Sequence, residues 1–164
     1  MSDPGTTAST THQRIFLVVV DDSEELNIAL TYACLRARNT GGRVALLYVI
    51  EPSDFQHWIA VEDIMREERR TEAEQVLQRH AKQVNEITGT LPILYVREGE
   101  RRDELLGLIN EEPSISILVL AAGTGPEGPG PLVTHLAGKG VGKLRIPLTL
   151  VPGSLRREQL DLIT

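Results

Sequence analysis

Gly125 and Gly128 stand with two residues between them. After nine more residues comes Gly138, followed at once by Lys139. They follow an apolar run over 115–122. Glycine lets a backbone come close to a ligand, and free N–H groups beside it can cradle a phosphate. Lys139 would add a point charge. The residues between the glycines oppose that chemistry. Pro126, Pro129 and Pro131 have no N–H to give, and Glu127 sets a negative charge beside any anion. A charge-assisted hydrogen bond is worth about 1.5–3 kcal/mol. Losing one or two therefore costs on the order of 10- to 10⁴-fold in affinity at roughly 1.4 kcal/mol per decade. One exposed lysine returns only about 1 kcal/mol. The loop has the spacing of a phosphate cradle and the contents of a weakened one, or of a tight connection alone.

Elements elsewhere must position that loop. The chain has 164 residues, 41% of them hydrophobic, which suits one soluble α/β-sized domain with a full core. Aromatic residues make up only 4%, so Leu, Ile, Val and Ala must fill the core. The net charge of −6 argues against a general nucleic-acid binder. No apolar run reaches the roughly 20 residues of a membrane span. The first residues lack the basic start and apolar centre of a signal peptide, so the expected compartment is the cytoplasm. Residues 1–13 read as a disordered tail, 14–153 as the domain, and 154–164 as a C-terminal tail with room for a short helix over 155–163. Cys34 is the single cysteine and falls on an apolar helical stripe with Leu30, Ala33 and Ala37, as a buried small hydrophobe.

Apolar β-branched runs at 15–20, 43–50, 93–96, 115–120 and 146–151 read as five strands covered on both faces. Helical periodicity lies between them. One helix opens on the capping-box-like stretch Asp22 to Glu25 and ends at Gly41 and Gly42. A long charged amphipathic helix covers 59–87 and ends at Gly89, and Trp58 is expected to pack at its start. Short helices are expected over 103–110 and 132–137. Alternating strands and helices give an α/β fold: a doubly wound, five-stranded parallel sheet with helices on both faces. Ligands of such sheets bind at the C-terminal strand ends. Those ends are Asp21 and Asp22, Glu51, Arg97 and Glu98, and the loop 123–130.

Two functional readings lack essential parts. A receiver-like phosphorelay domain would use Asp21 and Asp22 for Mg²⁺. It also needs an aspartate after the third strand, where Arg97 and Glu98 stand, and a lysine after the fifth, where Pro152 and Gly153 stand. A dinucleotide fold matches its glycine pattern at Gly123, Gly125 and Gly128. That pattern belongs after the first strand, with an acid about 20 residues on. His12, His57, His80 and His135 are scattered without metal-ligand spacing, so no metal site is expected. Nothing arranges an activated Ser, Cys or His, so no catalytic residue is assigned.

The domain as a whole resembles the universal stress protein family. The first strand with its Asp21-x-Ser23 turn, the run Val44 to Pro52, the run Ile117 to Gly123, and the closing Ile146, Pro147 and Val151 carry the likeness. Gly125, Gly128 and Gly138 reproduce the G-x2-G-x9-G spacing of the family's ATP-binding members. Lys139 stands where those members have Ser or Thr, and an ammonium cannot ligate Mg²⁺ as a hydroxyl can. The resemblance implies a Rossmann-like fold of the adenine nucleotide alpha hydrolase type. It implies a homodimer joined through the last strand, with Leu148, Leu150 and Val151 at the interface. Carried over by position, Asp21 would meet the adenosine part, Val49 the adenine, and Gly125, Gly128, Gly138 and Lys139 the phosphates of ATP or AMP. The expected function is a stress-response dimer that acts by binding and regulates a protein partner. The alternative is an ATP- or AMP-binding switch, or a slow ATP hydrolase, using the Gly125, Gly128 and Gly138 loop.

Overall fold

The computed structural model describes residues 12–52 and 59–164. The expected tail over 1–13 lies outside the described residues up to position 11, as do His57 and Trp58. The five apolar runs form β1 (Ile15–Val19), β2 (Arg43–Ile50), β3 (Ile93–Glu98), β4 (Ile115–Ala122) and β5 (Leu148–Pro152). All pair in parallel, in the order β3-β2-β1-β4-β5. β1 is thus central, with Val18 level with Leu46 on one side and Val119 on the other.

Alternate residues of each strand feed two cores, because side chains in a strand point to opposite faces. Phe16, Val18, Leu46, Val119 and Val151 pack against α1 (Leu26–Thr40) and α2 (Ile59–Thr88). Leu17, Val19, Leu47, Val49, Leu118 and Leu120 pack against α3 (Arg101–Glu111) and α4 (Pro131–Leu136). The crossovers put α1 and α2 on one face, and α3 and α4 on the other. The chain therefore reverses direction across the sheet between β1 and β4.

Helix ends show the local chemistry. α1 stops at Gly41, whose φ of 69° is left-handed, and Gly89 with φ of 77° follows α2. α3 starts at Arg101, two residues before the expected position, because the Glu100 carboxylate accepts from the Asp103 N–H at 2.9 Å. That bond holds the Glu100 carboxyl below its usual range. At the far end of α3, Arg145 donates to the carbonyls of Ile109, Glu112 and Ile115 at 2.6 to 3.4 Å, tying the helix end to the start of β4.

Other boundaries also differ from the sequence pattern. α1 begins at Leu26, with Glu25 as its cap residue and no side-chain capping bond, so Asp22 to Glu25 is not a capping box. Instead the Asp21 carboxylate accepts from the Ser23 N–H at 3.0 Å and the Ser23 hydroxyl at 2.6 Å, which folds the stretch into a turn. β5 begins at Leu148 rather than Ile146, since Pro147 has no N–H to give the ladder. The segment after 153 carries α5 (Arg157–Ile163), two residues shorter than expected, which buries Leu160 against the α1 face of the core.

Candidate functional site

At the β1/β4 reversal the loops leave in opposite directions, and a cleft of ≈ 210 Å³ opens between them. Its β1 side is made by Asp21, Asp22, Ser23 and Glu25, with Leu26 and Ala29 of α1 below. Its β4 side is made by Ala121 and by Pro129, Gly130, Pro131, Leu132 and Val133. Arg101, at the start of α3, reaches in from the third side. Its Nε lies 3.4 Å from a Glu51 carboxylate oxygen, so part of its charge is already matched.

The glycine loop folds on itself. The Gly123 N–H donates to the Pro129 carbonyl at 3.1 Å, and the Gly128 N–H donates to the Gly125 carbonyl at 3.1 Å. Gly128 and Gly130 have φ of 89° and 105°, a conformation only glycine adopts at low cost. With Pro126, Pro129 and Pro131, five of the nine positions over 123–131 therefore have no backbone N–H free for a ligand. α4 begins at Pro131 and is only six residues long.

The predicted site residues separate in space. Asp21 lines the cleft, although its Oδ1 is committed to the Ser23 turn. Gly125 and Gly128 form the outer turn of the loop, and neither lines the cleft. Gly138 and Lys139 are exposed beyond α4, where Lys139 opens a 3₁₀ turn over Lys139–Lys143. Val49 is buried on the α3 face of the sheet and does not line the cleft. Pro129 and Gly130, from the strand-end loop 123–130, do line it, and so do Glu25, Arg101 and the stretch 131–133, to which sequence reasoning gave no ligand role. Arg101 could have been found from the strand-end rule, as it stands three residues past β3.

The remaining titratable groups among the described residues carry no comparable arrangement. Burial pushes the His80 imidazole below its usual range. His135 lies 3.3 Å from Arg102 through its Nδ1. Among the described residues no group of three or more His, Cys, Asp or Glu could hold a metal ion. Among them, too, no helix is long and apolar enough to cross a membrane.

The sequence profile of the universal stress protein family matches residues 13–152. The chain belongs to this family. Universal stress proteins of known structure share its fold at low identity. UspA from Lactobacillus plantarum is 19% identical with a TM-score of 0.69, and the match covers 85% of this chain and 97% of that one. A universal stress protein from Archaeoglobus fulgidus, solved in complex with dAMP, is 18% identical with a TM-score of 0.56, covering 85% and 97%. A universal stress protein solved in complex with cAMP is 15% identical with a TM-score of 0.56, covering 88% and 100%. At these identities the likeness is one of fold. Among curated proteins no sequence match is found.

Proposed function

We propose that this universal stress protein is a cytoplasmic, dimeric, stress-response protein that acts by binding and regulates a protein partner. Its switch-point cleft takes an adenine-type ligand with little hold on the phosphates. Two relatives of the same fold were solved with dAMP and cAMP, which supports the ligand class. The observation that carries the weakened phosphate arm is the closed loop. Gly123 and Gly128 give their N–H groups to Pro129 and Gly125, and three prolines have none to give. Purified protein, denatured and chromatographed, is expected to release no ATP. Millimolar Mg-ATP is expected to raise the melting temperature by no more than about 1–2 °C. That is the shift for a Kd near the ligand concentration, where stabilisation is only about 0.4 kcal/mol. ATP or AMP carried through purification, or a much larger shift, would instead support the nucleotide switch or slow hydrolase.

The dimer reading rests on the sheet edge. β5 has β4 on one side only, and its open side presents unpaired backbone groups with Leu150 40% exposed. Leu148 is half-buried, and Val151 is buried in the core with Leu160 of α5. Pairing of β5 with a second copy would therefore use the backbone and Leu150, with Val151 supporting the strand from behind. Sedimentation at micromolar concentration is expected to give a dimer for the parent and a monomer for Leu150→Lys. A monomeric parent protein would remove the dimer from the proposal.

A further inference from the structure

The cleft's own acids go further than the loop's missing donors. Glu25 sits where the loops after β1, β4 and β5 meet. Its Oε1 is 3.2 Å from the point where a Cβ on Gly123 would stand, and its Cβ is 3.2 Å from the corresponding point at Gly153. The residue is half-buried and makes no capping hydrogen bond with its side chain, so its carboxylate is left to the cleft. The β1 wall of the cleft thus carries acceptors: the Glu25 carboxylate, with the carboxylates of Asp21 and Asp22 beside it. Among the described residues Arg101 is the one cationic side chain lining the cleft; its buried Nε lies 3.4 Å from Glu51 and makes no hydrogen bond.

We infer that Glu25 sets the specificity of this cleft, excluding phosphorylated ligands and admitting an unphosphorylated nucleoside. Sugar hydroxyls and an exocyclic amine donate hydrogen bonds, which is what carboxylates can take. A phosphate ester brings charge and acceptors to a wall that already has both. The cleft's ≈ 210 Å³ also falls below the size usual for larger ligands, about 300–1,000 Å³. The inference rests on the adenine-type reading of the cleft proposed above and names the form of ligand it takes. One unit of phosphate charge about 6 Å from the Glu25 carboxylate, at an effective dielectric of about 40 between protein surface and water, should weaken binding by about tenfold.

Titration calorimetry with adenosine and with AMP, on the parent and on Glu25→Gln, tests it. The parent is expected to bind adenosine about tenfold more tightly than AMP. Glu25→Gln keeps the shape and removes the charge, so it should bring the two affinities together. A salt series on the parent needs no variant. Raising salt from about 20 mM to about 0.5 M should narrow the same gap, since a charge repulsion is screened and a steric fit is not. AMP binding as tightly as adenosine, or a gap that neither Glu25→Gln nor salt moves, overturns the inference and leaves the cleft as an adenine-ligand site. Binding of neither compound overturns the inference and the adenine-type reading together.

Discussion

Cys34 is expected to react with a thiol reagent at pH 8 at least about a thousandfold more slowly in the folded protein than after unfolding. The side chain is fully buried within α1, and burial pushes its thiol from an ordinary 9.0 to about 12, against a smaller opposing pull from the Arg157 charge. Only the thiolate attacks, and a rise of about three units lowers its fraction about a thousandfold before access is considered. The same shift ties stability to pH. The folded state keeps the proton that the unfolded chain gives up above pH 9. Its contribution is therefore complete below that pH and is lost as pH rises toward 12, by about 1.4 kcal/mol per unit. Replacing Cys34 by Ala removes this term, so the parent should lose stability faster than Cys34→Ala over that window. Labelling of the native protein at a rate near that of the denatured chain would show that α1 opens readily.

Gly153→Ala is expected to destabilise the protein by about 1–3 kcal/mol, the usual cost of forcing extra volume into a packed place. A Cβ at Gly153 would stand 2.5 Å from the Ala122 carbonyl oxygen, a contact real Cβ atoms do not make. That carbonyl cannot simply turn away, because it accepts the Gly153 N–H at 2.9 Å. The shift would also press on the Glu25 side chain, so the variant should disturb the cleft as well as the fold. Gly125→Ala is the matched control. A Cβ there meets nothing within 4 Å, and the substitution should be close to neutral. The glycine that the motif singles out thus tolerates a methyl group, and one outside the motif does not. Denaturant unfolding of both variants checks this, and equal stabilities would contradict the close approach at Gly153.

Much of the architecture was legible because a parallel sheet needs strands that are apolar throughout. The runs at 15–20, 43–50 and 115–120 could be little else once helical periodicity separated them, and they became β1, β2 and β4. The same property hid part of the site. In a strand buried on both faces, sequence cannot say which face a residue takes, and Val49 turns toward α3. Glu25 was visible only as a helix-start acid. In place of the capping box the stretch holds the Asp21 and Ser23 turn, a local competition between a side chain and the backbone. The loop gave its spacing away, yet its use of its own N–H groups depends on a bond from Gly123 to Pro129 that no glycine count reveals. The last residues read as a tail with room for a short helix, and the burial of Leu160 by α5 was not legible there.

The central place of β1 also bears on how the chain is made. Its second neighbour, β4, arrives late: the Ile15 N–H that donates to the Ser116 hydroxyl at 3.1 Å waits for a partner 101 residues downstream. At about 5–20 residues per second, a ribosome needs roughly 5–20 s to deliver it. During that interval β1, β2 and β3 can assemble with α1 and α2, while one edge of β1 and the apolar face meant for α3 stay open to water. Nascent chains of this topology are vulnerable to association in that window, and pausing or cold slowing of synthesis between β3 and β4 would lengthen it.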